Sequence, residues 1–152
     1  MTNKELLGRL GEELVANILG ATLSEDKYDM KKDMILADGT CVEVKTQIRH
    51  PTNNCMTINS AHSNNISKCL TVDRLVFVEF DDSDTIYVRE CIERENYITY
   101  RTRPAPGYPH GRDMIGWPIS KMRPIKEVYD PTLASKMRSL SSSTQFSNAK
   151  HY

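Results

Sequence analysis

Apolar residues recur at three- and four-residue steps near the start of the chain. Leu6, Leu7, Leu10, Leu14, Ile18 and Leu19 form one stripe, which predicts an amphipathic helix over 4–20 with Gly20 as its stop. Gly8 and Gly11 interrupt that helix at about 1 kcal/mol each relative to alanine. Such a cost suggests close packing against a neighbour or the approach of a ligand. The period then changes. Residues 33–37 (DMILA) and 40–46 (TCVEVKT) are apolar-rich runs on either side of Asp38-Gly39, a strong hairpin signal. Residues 50–59 read as polar and irregular, and 60–70 as a short helix. Two further strands, 74–80 (RLVFVEF) and 85–91 (TIYVREC), surround the acidic turn at 81–84. Beyond residue 96 the pattern decays, and Pro104, Pro106, Gly107 and Pro109 mark a loop before an edge strand over 113–119. The Ser-rich stretch from Ser139 onward has few apolar groups and reads as flexible. The expected organisation is one domain over 1–138 and a tail over 139–152. This order of elements predicts an α/β or α+β fold, a mixed β-sheet flanked by helices.

Composition narrows the class without naming it. A chain of 152 residues with 39% hydrophobic and 26% charged residues is ordinary for a soluble domain able to bury a core. No stretch approaches the length of a membrane span, and the opening MTNKELLGRLGEEL is charged and lacks the apolar core of a signal peptide. A cytoplasmic location is the expectation. Cys41, Cys55, Cys69 and Cys91 lie too far apart for a zinc knuckle, and the four histidines supply no ligand spacing, so reduced thiols are expected. Net charge is zero, but its distribution is uneven. Arg101, Arg103, Arg112, Lys121, Arg123 and Lys126 face only Asp113 in their segment, whereas 79–95 is acidic. A local basic segment of this kind can hold phosphates in a neutral protein.

The candidate chemistry lies in the first hairpin. Side chains alternate along a strand, so Glu43, Lys45 and Gln47 share one face while Val42 and Val44 point to the other. Charges on a strand covered on both sides are expensive unless compensated. A metal ion would compensate them: Asp33 and Glu43 offer hard oxygens suited to Mg²⁺, which activates water and polarises a phosphoryl oxygen. Lys45 can orient that water or stabilise developing charge. A two-residue turn at Asp38-Gly39 pairs Asp33 with Val44, whereas a three-residue loop including Thr40, or a bulge, sets it opposite Lys45. Asp29 is the alternative acid. Trp117 reads as a packing anchor, and His62, Lys68 and His110 as solvent-facing.

An Asp followed by Glu-Xaa-Lys on the next strand resembles the PD-(D/E)XK nuclease superfamily, which includes restriction endonucleases and Holliday junction resolvases. Gly11-Glu12 with Leu14, Val15, Ile18 and Leu19 resembles that family's first helix, and Gln47 matches a glutamine often found after its lysine. The resemblance covers roughly residues 4 to 90. Lys32 stands where the name-giving proline would be. The resemblance implies a restriction-endonuclease-like core and a divalent-metal-dependent endonuclease. Glu12, Asp33, Glu43 and the Val44 carbonyl would hold Mg²⁺ or Mn²⁺, with Lys45 positioning the water. Glu13 competes with Glu12, about 100° away on the helix, and the motif spacing favours Glu12. DNA is the expected partner, with RNA open, held by Arg101, Arg103, Arg112, Lys121 and Arg123. A homodimer would supply two sites for two strands. The alternative is a catalytically inactive nucleic-acid-binding or regulatory module on the same fold.

Overall fold

The computed structural model describes residues 1–23, 34–50, 54–59 and 63–149. Helix α1 (Asn3–Leu19) begins at a capping box, in which the Thr2 hydroxyl accepts from the Glu5 backbone N–H and the Glu5 carboxylate accepts from that of Thr2. Gly20 closes it as expected. Two short strands, β1 (Thr22–Leu23) and β2 (Met34–Ile35), lead into the long β3 (Cys41–Ile48). The β2–β3 register is neither of the two anticipated. Met34 pairs with Val42, and Leu36 donates to the Thr40 carbonyl at 2.8 Å, so the loop is Ala37-Asp38-Gly39. Its cause is local: Asp38 Oδ1 accepts the Thr40 N–H at 2.9 Å and Gly39 takes φ 89°, a conformation that favours glycine.

β4 (Cys55–Asn59) and α2 (Ser63–Thr71) form the crossover to β5 (Arg74–Phe80), which pairs with β3 in parallel. β6 (Thr85–Cys91), β7 (Ile98–Arg101), β8 (Asp113–Pro118), β9 (Arg123–Tyr129) and α3 (Pro131–Ala149) follow, with a 3-10 turn at Ile119–Lys121 before β9. The main sheet runs β1-β2-β3-β5-β6-β9 and a second sheet runs β4-β8-β7. The chain is therefore mixed α+β, with two sheets where one was expected. The stretch 50–59, read as irregular, contributes β4 because β8 offers it a full antiparallel ladder. The strand expected at an edge, β8, lies at the centre of the second sheet, with Ile115 and Trp117 buried.

Alternation along β3 and β5 divides the core in two. Val42, Val44, Val76 and Val78 pack with Leu7 and Val15 of α1 and with Ala134 and Met137 of α3. The opposite face, through Leu75 and Phe77, packs on Met56, Ile58, Cys69 and Trp117 from the second sheet and α2. Trp117 is the anchor the sequence suggested: its indole N–H donates to the Arg94 carbonyl at 2.8 Å and its ring meets Phe77 at 5.7 Å. None of the four cysteines is in a disulfide, and Cys69 and Cys91 are buried. The boundary expected at residue 138 falls inside α3. Asp130 caps this helix through the Leu133 N–H at 3.0 Å, Pro131 opens it, and Ser141 is buried, so helix replaces the expected tail through Ala149. Residues 150–152 lie outside the described residues. Among the described residues no helix is long and apolar enough to cross a membrane.

Candidate functional site

β3 carries Glu43, Lys45 and Gln47 on the face turned toward α2 and the second sheet. Covered from both sides, Glu43 is only 2% exposed. A buried carboxylate needs a counter-charge, and two ammonium groups supply it. Lys45 Nζ lies 3.3 Å from Glu43 Oε2, and Lys68 Nζ lies 3.1 Å from Oε1. Lys68 was expected to face solvent. It is instead largely covered, because the neighbouring Cys69 is fully buried and holds that turn of α2 against the sheet. A parallel strand pair demands a long crossover, and this one delivers a second cation to the site.

One step further along β3, Gln47 closes on the second sheet. Its side-chain N–H donates to the Thr57 carbonyl, and its Oε1 accepts the Thr57 N–H at 3.0 Å. The accessory residue of the sequence pattern is thus a clasp between sheets. Beyond it stands another buried acid, Glu79, 1% exposed, whose Oε1 lies 2.8 Å from Arg89 Nη1 and 3.5 Å from Arg49 Nη1. Sequence reasoning missed this cluster and counted Glu79 only in an acidic segment. The signal available was a lone Glu inside the apolar run RLVFVEF.

Glu12 sits on α1, half-buried, with Oε2 3.5 Å from Arg9 Nη1, whereas Glu13 is more exposed. Its neighbour Gly11 marks where α1 meets β3: a Cβ there would stand 1.8 Å from Thr46 Oγ1. Only a residue without a side chain permits that approach. The Val44 side chain is buried in the core beneath α1. Asp33, Asp29 and His62 lie outside the described residues. Among the described residues no three His, Cys, Asp or Glu side chains converge as a metal-holding group. Both Glu43 oxygens are already met by ammonium groups, which a metal ion would have to displace.

The basic residues divide into two groups. Arg101, Arg103 and Arg112 lie around the β7–β8 connection. Arg101 donates to the His110 carbonyl at 2.9 Å and pairs with Asp113 at 2.9 Å, and Arg112 stacks on Tyr108 at 4.8 Å. Arg103 and His110 are exposed. Lys121 and Arg123 lie past the other end of β8, a strand that spans about 20 Å. Arg123 is already paired: its Nη2 and that of Arg74 each lie 2.6 Å from Glu90 Oε1. Burial raises the Glu90 carboxyl, yet hydrogen bonds from Arg74 and Arg123 outweigh it and hold this acid below its ordinary value.

No protein-family model matches the chain, and no curated protein matches it.

Proposed function

We propose that the protein is a divalent-metal-dependent phosphodiesterase that cleaves DNA by attack of a metal-activated water. The observation that carries this reading is Glu43, a carboxylate 2% exposed with Lys45 at 3.3 Å on the same strand face. Burying an acid beside a lysine has a structural cost that a hydrophobic pair would avoid, and hydrolysis gives it a use. Asp33, directly before β2, is the second carboxylate of the proposal. Glu12 is the third acid that the family pattern names, although its helix meets β3 at Thr46, on the face opposite Glu43. Asp33, Glu43 and Glu12 would be the residues to hold Mg²⁺ or Mn²⁺, which would supply a water of lowered pKa. Lys45 would orient that water and offset charge on the phosphoryl oxygens.

A symmetric dimer would bring two sites to two strands. The test is incubation with supercoiled, linear, branched and single-stranded DNA, and with RNA, in Mg²⁺, Mn²⁺, Ca²⁺ or EDTA. Cleavage that needs Mg²⁺ or Mn²⁺ and disappears in Glu43→Gln is the expected result. Salt-sensitive DNA binding without cleavage would assign the chain to non-catalytic binding instead. Cleavage of RNA alone would replace the substrate.

A further inference from the structure

The connection between β7 and β8 is tightly built. Ala105-Pro106-Gly107-Tyr108 turns on a proline and on a glycine at φ 83°, the pair that a type II turn favours. Ala105 and Tyr108 each donate a backbone N–H to the other's carbonyl, at 3.0 and 2.8 Å. At the base of the loop, the Thr102 N–H donates to the Arg112 carbonyl at 2.9 Å and the Thr102 hydroxyl accepts the Arg112 N–H at 2.8 Å. This frame displays the Tyr108 ring. Tyr108 is 45% exposed, and the Arg112 guanidinium lies over its ring 4.8 Å from the centroid. The stack leaves Arg112 short of partners: its Nε is buried with no hydrogen bond among the described residues, and no acid there pairs with its terminal nitrogens. Arg103, exposed on the same loop, also has no ion pair among the described residues. A buried donor left unsatisfied is costly, and closing the loop needs neither cation. A flat group joined to phosphates would use the ring and both arginines together.

We propose that Tyr108 is a stacking platform for an unpaired nucleobase, with Arg103 and Arg112 holding the neighbouring phosphates. Bases inside a duplex have both faces covered by their neighbours, so the ring selects a single-stranded segment, such as a frayed end or a branch. Every base has a π face, so the selection is for strand form and not for sequence. Arg112 keeps a cation beside the stacked base, and the hydrogen-bonded loop loses little freedom when the base arrives. The inference rests on DNA as the partner of the chain and names the form of DNA it takes.

Fluorescence anisotropy of the full chain in EDTA, with oligothymidylate carrying a fluorescent purine and with a duplex of the same sequence, tests this. Single-strand binding should quench the purine. Tyr108→Leu keeps apolar bulk and removes the π face, so it should lower the ratio of single-strand to duplex affinity at least about fivefold. Tyr108→Phe should retain both the ratio and the quenching. Equal effects of Tyr108→Leu on the two probes, or none, overturn the inference. Should Tyr108→Leu fail to fold, Tyr108→Trp decides alone: its added emission should respond to the single strand, and no response is the contrary result. Polyglutamate competing as well as oligothymidylate at equal charge would overturn the inference in favour of an acidic protein surface. Metal-dependent duplex cleavage alongside failure of these tests removes the inference and leaves the phosphodiesterase reading standing. Stacking with no cleavage of either probe in Mg²⁺ does the reverse.

Discussion

Gln47 and Thr57 hold each other by two hydrogen bonds, one donated by the Gln47 side chain and one returned by the Thr57 N–H at 3.0 Å. Thr57 lies on β4, which pairs with β8 on its other side, so Gln47 completes the backbone bonding of that residue. Gln47→Ala leaves both groups unsatisfied and should lower unfolding free energy by about 1–3 kcal/mol. Gln47→Glu should be worse than alanine at neutral pH. It keeps the acceptor, loses the donor, and sets a second carboxylate beside Glu79, its register partner on β5. Urea denaturation of the two variants checks both the loss and their order.

A second prediction concerns the contact between α1 and β3. Gly11→Ala brings a Cβ to 1.8 Å from Thr46 Oγ1 and 3.0 Å from Thr46 Cβ, so rotation of the threonine alone does not relieve it. A loss of about 1–3 kcal/mol is expected. Thr46→Ala should recover most of that in the double variant, because it removes the obstructing atoms together with a buried hydroxyl that has no hydrogen-bond partner among the described residues. Gly8→Ala, with nothing within 4 Å of the added carbon, should instead stabilise by up to about 1 kcal/mol. Additive losses in the Gly11–Thr46 double-mutant cycle would refute the clash.

Much of this was legible in the sequence wherever a short-range rule governed it. The stripe from Leu6 to Leu19 gave α1, and strand alternation put Glu43, Lys45 and Gln47 on one face with Val42 and Val44 opposite. The hairpin register escaped because Asp38 and Gly39 admit several loop lengths, and the choice falls to one hydrogen bond from Thr40. Lys68 escaped because nothing local distinguishes a lysine on a Ser/Asn-rich helix from a solvated one. Its partner is decided by the crossover that brings α2 over β3. β7 and β9 are mostly exposed strands, so they lack the apolar alternation that reveals buried ones. In α3, serines obscured a stripe of Leu133, Ala134, Met137 and Leu140, although Asp130-Pro131 was a readable start.

Lys45→Met separates chemistry from packing. The substitution keeps the unbranched stem and removes the charge, and Lys68 remains to balance Glu43. Thermal melting should shift little. Cleavage should fall about 10²–10³-fold if Lys45 stabilises developing charge. Single-turnover rates at saturating metal give the comparison, and an undiminished rate would remove Lys45 from the proposed mechanism.

Acid sensitivity should trace partly to Glu90. Its folded pKa lies below the ordinary value of 4.5 because Arg74 and Arg123 outweigh the effect of burial. The sign follows from linkage: the unfolded chain binds the proton more tightly. The stabilisation is thus complete above the unfolded value and is lost as pH falls through the folded one. Glu90→Gln should lower stability at pH 7 by about 1–3 kcal/mol, through loss of its charge-assisted hydrogen bonds. It should also flatten the decline below pH 4.5. Denaturation midpoints across the acid range decide this; parallel curves for the two proteins would be the contrary result.

The final prediction concerns where a phosphate backbone would lie. Arg101 is already engaged, with Asp113 at 2.9 Å and the His110 carbonyl at 2.9 Å, although its side chain remains 57% exposed. An exposed pair of this kind contributes little to stability, so its partner can be changed without disturbing the fold. Asp113→Asn should therefore release Arg101 and tighten DNA binding, steepening log affinity against log salt by up to about 0.9. Arg103→Glu, at an exposed position on the same β7–β8 connection, should weaken binding and flatten that slope. Arg123→Glu is different in kind. It replaces a guanidinium 2.6 Å from Glu90 with a second carboxylate, so a stability loss should accompany any loss of affinity. Filter binding or anisotropy in EDTA, across a series of salt concentrations, keeps cleavage out of the measurement. If Asp113→Asn and Arg103→Glu both leave the slope unchanged, this connection does not contact the backbone. The Arg49 side of the Glu79 cluster, partly exposed at the end of β3, would then be the next surface to test.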